Sequence, residues 1–460
     1  MAEKTAESTS GMAVARVHSQ ELATTSDSEQ QSIEQLPGNV IESFDDSGLP
    51  PVDRGKDAWL FLAAAFVVEI LIFGFSFSFG VFQDYYSTAQ PFAGSSNIAV
   101  IGVLTTGLIF ICSPIILPLC RRYPHWARWM STAGLLGAFV SNIASSFCTS
   151  VTQLIGTQGV LLGISGSLAF CPCLVFADQW FDKRKGLAFG VMGSGAGLGG
   201  VFLPVLINAL LNNVGFAKTM RIWACMLFGI GTPLSYFVRP RLPPSATEKN
   251  PFWNLQAVRS RFFLLNQTAN IIQGTGYYLP GIYLPNFTRE IFGASTWLST
   301  LSLMLFNLCA MAGLIIMGSF TDRWSSRTCI FISALGATIS VLLFWGLAVH
   351  LAVVYIFCIF FGLFSGCWPA VWPAVMRETA KRGEGRGFGH VDTLMIYSLL
   401  SVGRGIGNVI SGPLSEALIN GMPWKGEVIG GYGSGFGALI IFSGLTSLLS
   451  GMNTLWYHLL

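Results

Sequence analysis

Charged side chains are scarce in this sequence. Aspartate, glutamate, lysine and arginine make up 11% of its 460 residues, where an ordinary soluble domain carries about 25%. At roughly 150 residues per domain, a soluble chain of this length forms three domains, and so few charges cannot cover three surfaces. The shortage excludes most soluble enzymes. A disordered chain and a nucleic-acid binder, which needs a basic surface, are excluded with them. Paired cysteine spacing is missing as well. Ten cysteines are present, but Cys112, Cys148, Cys225, Cys309, Cys358 and Cys367 each stand alone in apolar runs. Cys171-Pro172-Cys173 has the spacing of neither a thiol redox motif nor a zinc site. His18, His125, His350, His390 and His458 are scattered. Hence no metal and no cofactor is expected. No phosphate loop of the form G-x-x-x-x-G-K-[ST] occurs, which removes ATP as the energy source. A convergent His, Ser or Cys constellation is also missing, so the sequence reads as no enzyme.

What is abundant is apolar: 52% of residues are hydrophobic, with 36 Phe and 13 Trp. A membrane span needs about 20 predominantly apolar residues. Twelve such stretches follow one another, at 58–82, 96–119, 128–148, 151–177, 187–211, 220–238, 260–285, 296–319, 329–349, 352–376, 391–418 and 434–458. The fold expected is all-α, with twelve transmembrane helices in two six-helix bundles. Four segments follow: an acidic disordered tail (1–57), a first bundle (58–238), a central loop (239–259) and a second bundle (260–460). Residues 1–56 hold ten acidic and four basic side chains, with almost no aromatics, too little apolar surface to fold. No basic region followed by an apolar stretch marks a cleavable signal peptide.

Orientation follows from Lys and Arg in the loops. With the N-terminus in the cytosol, seventeen basic residues fall in inside loops, from Arg121 and Arg122 to Arg386. Four fall outside: Lys218, Arg221, Arg289 and Lys425. Both termini are then cytosolic, and the location is a cell membrane. The sequence ends in T-L-W-Y-H-L-L almost on leaving span twelve, so no docking or trafficking segment is expected there.

Several stretches are distinctive. They are D-R-G-K-D-A-W (Asp53 to Trp59), F-G-V-F-Q-D-Y-Y (Phe79 to Tyr86) and W-F-D-K-R-K-G-L-A-F-G-V-M-G-S-G-A-G-L-G-G (Trp180 to Gly200). G-F-A-K-T-M-R (Gly215 to Arg221) and R-G-I-G-N-V-I-S-G-P-L (Arg404 to Leu414) join them. Together they resemble the major facilitator superfamily, and within it the monocarboxylate transporter-like family as it occurs in fungi. The resemblance covers nearly everything after residue 50. It implies alternating access around a midplane site lined by spans one, four, seven and ten, with protons as the coupling ion. Two departures stand out. Arg54 replaces the first glycine of the family's D-G-G-x-x-A-W. Mammalian members carry an acid and an arginine on span eight, tied to proton and monocarboxylate binding. Here that span reads L-S-L-M-L-F-N-L-C-A-M-A-G-L-I-I-M-G, so their charged mechanism does not carry over.

Gly193 to Gly200, G-S-G-A-G-L-G-G, happens to satisfy G-x-G-x-x-G. It lies inside an apolar helix rather than after a strand, so it reads as close helix packing, not a nucleotide site. Asp182, Lys183, Arg184 and Lys185 either orient the protein or form cytosolic salt bridges of a gate. Asp322-Arg323 resembles the superfamily's loop in the same gate, while its counterpart Arg121-Arg122-Tyr123-Pro124 lacks the acid and reads as degenerate. Glu69 and Arg404 stand near the middle of spans one and eleven, where a charge costs roughly 2.5–3.5 kcal/mol and does not face lipid unpaired. Each is either a structural polar contact or part of the site. In the second case Glu69 is a titratable group coupling transport to protons, and Arg404 an anion contact. Asn266, Asn270, Gln273 and Tyr277 share one face of span seven, facing either a solute or a neighbouring helix. Gly274, Gly276, Pro280 and Pro285 break or flex that span. Trp368-Pro369 and Trp372-Pro373 offer a stacking platform or packing. Asn286-Phe287-Thr288 is a glycosylation sequon in an expected outside loop.

The function expected is secondary active transport of a small organic solute, exporting a secondary metabolite or organic acid. Proton-coupled uptake of a monocarboxylate or vitamin-like nutrient is the alternative, and a receptor that binds without transporting is a third. The partners expected are the solute, protons and membrane lipid. No nucleic acid is expected, and the chain is expected to work as a monomer.

Overall fold

The computed structural model describes residues 49–93, 95, 97–243, 258–387 and 391–452. The acidic tail to residue 48, the centre of the 239–259 loop and the end of the last span lie outside the described residues.

Among the described residues, twelve long helical segments follow one another and no strand occurs. They are α1 (Lys56–Thr88), α2 (Ile98–Arg122), α3 (Pro124–Ser145), α4 (Val151–Trp180), α5 (Lys185–Val214) and α6 (Phe216–Ser235). Then come α7 (Arg261–Phe292), α8 (Thr296–Thr321), α9 (Ser326–Trp345), α10 (Leu351–Gly385), α11 (Thr393–Ile419) and α12 (Gly437–Met452). Eight of these are long and apolar enough to cross a membrane. The others, α3, α6 and α7, have 22, 20 and 32 residues but carry more polar side chains, and α12 is described for 16.

Local chemistry sets the boundaries. Ser150, Ser260, Ser295 and Ser325 each accept a backbone N–H at the start of α4, α7, α8 and α9, and Asp392 does the same for α11. Such caps satisfy donors that a helix start leaves free. Gly215, at φ 80°, turns the chain between α5 and α6, a conformation that costs glycine little. α1 is jogged at Ser78, where the hydroxyl donates to the Gly74 carbonyl at 2.7 Å.

Helix pairing repeats with an offset of six. α1 packs on α5 as α7 packs on α11; α2 on α4 as α8 on α10; α3 on α6 as α9 on α12. The halves meet along two seams, α5 on α8 and α2 on α11. Glycine permits both. A Cβ on Gly190 would lie 2.6 Å from the Leu314 carbonyl, and one on Gly405 2.6 Å from that of Gly107. Close backbone approach of this kind drives helix association where lipid offers no hydrophobic contrast. The outer surface is apolar: Phe202 and Trp126 are 65% and 70% exposed.

Three expectations change. α7 is neither broken nor shortened by its prolines, since Pro280 and Pro285 both lie within it. A proline in a membrane helix removes one backbone bond, which neighbouring groups can replace. Asn286 therefore sits in a helix rather than a loop, and Thr288 is buried, its hydroxyl donating to the Leu284 carbonyl at 3.0 Å. α10 continues to Gly385, well past residue 376, with a 3-10 turn at Trp368–Val371. Pro369 and Pro373 remove N–H groups there and tighten the turn.

Candidate functional site

A cavity of about 70 Å³ lies between the halves, lined by side chains of α1, α2, α4, α5, α7, α8, α10 and α11. Its wall is largely aromatic, with Phe73, Phe77, Phe110, Phe170 and Phe189 facing Tyr277, Tyr278 and Tyr397. Gly193, Ala196 and Gly197 of α5 complete the lining with small residues. The same glycine run packs α5 on its neighbours: Gly195 meets the Phe66 carbonyl of α1, and Gly200 the Asn307 amide of α8. That is the helix-packing reading of G-S-G-A-G-L-G-G.

Among the described residues, only Glu69 and Arg404 bring charge to this wall. They are 3% and 1% exposed. Glu69 forms no hydrogen bond or ion pair among the described residues. The Arg404 guanidinium stands 4.4 Å from the ring centre of Tyr277 and 5.2 Å from that of Tyr278. Aromatic faces stabilise a desolvated cation. The Tyr278 hydroxyl engages the guanidinium, while Nε and Nη1 have no partner among the described residues. A cation with two free donors in an aromatic chamber can receive an acidic or carbonyl oxygen of a bound molecule.

The amide face of α7 does something else. Asn270 donates to the Leu400 carbonyl of α11 at 2.6 Å and accepts from Trp368 Nε1 of α10 at 3.2 Å. Gln273 donates to Ser365 Oγ at 3.2 Å, and Asn266 to its own helix at Phe262 O, 2.9 Å. Asn270 and Gln273 tie α7 to α10 and α11, and of the four only Tyr277 reaches the cavity. Trp372 packs edge-on against Tyr397, with ring centres 5.2 Å apart, while Pro369 lines the cavity. Tyr278 and Tyr397 have no sequence signal beyond being tyrosines in apolar helices.

Both ends of the cavity are shut by contacts between the halves. At the end rich in basic loops, Asp322 of α8 accepts from Gly186 N at 3.1 Å and Leu187 N at 3.0 Å, at the start of α5. Arg377 holds Asp322 from behind at 3.4 Å. Arg121 of α2 pairs with Asp392 at the start of α11. The Arg121 loop has no acid of its own, and its arginine finds one in Asp392 on the facing helix. The basic triplet does not form the cross-half bridges. Lys185 pairs with Asp178 of its own half at 2.6 Å, and Lys183, Arg184 and Arg323 are exposed. Their backbone matters instead. Asp53, at φ 58°, accepts from the N–H groups of Asp182, Lys183 and Arg184 at 3.1, 2.9 and 3.1 Å. The D-R-G motif is thus a clasp on the α4–α5 loop. A wider surface recess of about 820 Å³ opens beside it, lined by charges of both signs, including Arg54, Asp178 and Asp182. At the opposite end Arg289 of α7 pairs with Asp84 of α1.

Comparison with known proteins agrees with this architecture. The MFS-type transporter pynF of Aspergillus niger is 30% identical over 63% of this chain and 67% of its own. The aspyridones efflux protein apdF of Emericella nidulans is 31% identical over 60% of this chain, which spans 55% of that relative. Monocarboxylate transporter 10 of Rattus norvegicus is 28% identical over 58% of this chain and 55% of its own. The family model described as Major Facilitator Superfamily matches residues 61–395. Paired six-helix halves, a cavity between them and this match together establish that the chain belongs to the major facilitator superfamily.

Proposed function

We propose that the protein exports a small, largely apolar organic acid or secondary metabolite across the cell membrane, with its basic end and both termini in the cytosol. The observation that carries this reading is the aromatic cavity whose wall holds one carboxyl and one cation, the cation with donors that are free among the described residues. An apolar wall with few polar groups suits an organic molecule that bears one acidic or acceptor group. Export is favoured over uptake by the relative named as an aspyridones efflux protein. Uptake of a monocarboxylate is the second reading, favoured by the likeness to monocarboxylate transporter 10.

In this mechanism residues 58–238 and 260–460 act as two bundles that rock about the cavity. Clasps at the two ends open in turn. With both shut the cavity is smaller than the roughly 300–1,000 Å³ typical of sites for drug-sized ligands, so loading widens it. Arg404 receives the acidic group, Tyr277 and Tyr278 flank it, and Glu69 binds and releases the coupling proton. Asp182, Lys183, Arg184, Lys185, Asp322 and Arg323 belong to the cytosolic gate. The functional unit is a monomer.

The test compares metabolites inside and outside host cells that express or lack the protein. A compound that accumulates inside without it, and falls in the medium, supports export and supplies the substrate. No change in any secreted compound, together with loss of uptake of an external acid, overturns export in favour of the second reading.

A further inference from the structure

α11 carries Tyr397, Ser401, Arg404, Asn408, Ser411 and Ser415 at intervals of three and four residues, all buried. That spacing places them on one helix face. The flanking faces are both occupied. On one side Gly403 lies against Gln267 and Gly407 against the Ile271 carbonyl, both of α7. On the other, Gly405 lies against the Gly107 carbonyl and Gly412 against Val103, both of α2. The polar face falls between these contact lines, at the seam where the halves meet. Tyr397 and Arg404, on the same face, line the central cavity.

Among the described residues Ser401 Oγ has no hydrogen-bond partner, and Asn408, completely buried, lacks one at both of its polar atoms, Nδ2 and Oδ1. The large majority of buried side-chain polar atoms in proteins are paired, and most polar groups of this chain obey that. The stretch of α11 with unpaired donors on Arg404 also holds this unpaired amide, one helical turn further toward the Asp84–Arg289 end. Orphaned donors and acceptors facing a seam are what a solute path requires when no solute occupies it.

We propose that Asn408 is a second recognition group for the transported solute, and that the seam face of α11 is a wall of its path. This rests on the central cavity being the transport site. One turn of helix separates the two groups by about 6 Å. Arg404 offers only donors, whereas an amide offers both a donor and an acceptor. The matching solute carries a carboxylate, enolate or carbonyl oxygen about 6 Å from an amide, lactam or enol. A plain monocarboxylate satisfies the first group and leaves Asn408 unpaired.

The experiment uses the full chain in membrane vesicles, with single added cysteines at Ser401, Gly403, Asn408 and Ile410. A charged methanethiosulfonate reagent is applied, and labelling of each peptide is quantified by mass spectrometry. Ser401→Cys and Asn408→Cys are expected to react at least about tenfold faster than Gly403→Cys, packed on α7, and Ile410→Cys, on the exposed side. Labelling at position 408 no faster than at 410 overturns the path. Ser401→Cys then reports on ligand chemistry by protection. 4-Acetamidobenzoate, with an amide one ring away from its carboxylate, is expected to protect at several-fold lower concentration than 4-isobutylbenzoate. That preference is expected to vanish in Ser401→Cys/Asn408→Leu. Equal protection by the two compounds, or a preference that survives Asn408→Leu, overturns Asn408 as a recognition group. Either result leaves the cavity reading to Arg404→Leu, which loses protection by both compounds if the cavity binds them and changes nothing if it does not.

Discussion

The carboxylate of Asp322 caps the start of α5 across the interface between halves, accepting the Gly186 N–H at 3.1 Å. A helix start carries unpaired N–H groups and a partial positive charge, which an anion stabilises by about 0.3–1 kcal/mol, up to about 2 when partly buried. Asp322→Asn keeps the size but loses the charge. It is expected to favour opening at the basic end by roughly 1–2 kcal/mol, a population change of about 5–30-fold. Spin labels at the exposed positions Lys183 and Arg323 measure this, and an unchanged distance distribution would count against the gate.

Asp392 has two roles that substitution can separate. Its Oδ1 accepts the Leu394 N–H at 2.9 Å, capping α11, while Oδ2 pairs with Arg121. Asp392→Ser retains a capping oxygen and loses the pair, whereas Asp392→Ala loses both. The alanine variant is expected to be less stable than the serine variant by about 1 kcal/mol. Both should open the basic end equally. Thermal unfolding in detergent and the same spin-label distances check the two halves of this statement.

Burial pushes the Asp392 carboxyl above its ordinary value of 3.8, and the Arg121 guanidinium pulls it partly back. Asp178 adds a smaller upward push. When the basic end opens, the carboxyl regains water and returns toward 3.8, so opening releases a proton. Between 3.8 and the raised value, the closed form therefore gains population as pH falls and loses it as pH rises. Asp392→Asn should flatten this dependence. A pH response that persists in that variant, read by the spin labels, assigns it to another group.

The sequence announced the helices and little of what they enclose. Apolar runs of about 20 residues mark spans regardless of packing, so all twelve helices were legible. Their ends were less so, because α7 runs through Pro280 and Pro285 to Phe292 where local rules favour a stop. Glu69 and Arg404 were identified because charge at membrane depth is costly wherever it points. The sequence leaves Asn270 between two uses, because a helix face is the same whether it meets a solute or the Leu400 carbonyl. The pairs Arg121–Asp392 and Asp84–Arg289 join positions far apart in the chain, and nothing local couples them.

Asn270 and Tyr277 lie on one face of α7 but should fail differently. Asn270→Ala leaves Trp368 Nε1 without its partner and removes the cross-helix bond to the Leu400 carbonyl, a loss of about 1–3 kcal/mol for the buried donor. A clearly lower unfolding temperature is expected, with transport falling in proportion to the folded protein that remains. Tyr277→Leu keeps an apolar filling but removes a ring from beneath Arg404. Stability should change less, while the solute concentration giving half-maximal transport rises several-fold. If Asn270→Ala instead weakens solute binding at full stability, the amide belongs to the site.

Glu69 carries the proposed coupling, and among the described residues it has no hydrogen-bond or ion-pair partner to explain it as a structural contact. A structural carboxyl held by hydrogen bonds would lose stability when replaced by an amide. Glu69→Gln keeps the shape of the side chain and removes its charge and its titration, so the fold should be undisturbed. Transport down a solute gradient should continue, while accumulation against a gradient driven by a pH difference is lost. The decisive comparison is counterflow against pH-driven uptake or efflux in proteoliposomes holding wild type or Glu69→Gln. Counterflow preserved with pH-driven flux abolished identifies Glu69 as the proton carrier. If both rates and their pH dependence stay at the wild-type level, the coupling proton binds elsewhere and Glu69 only shapes the cavity wall.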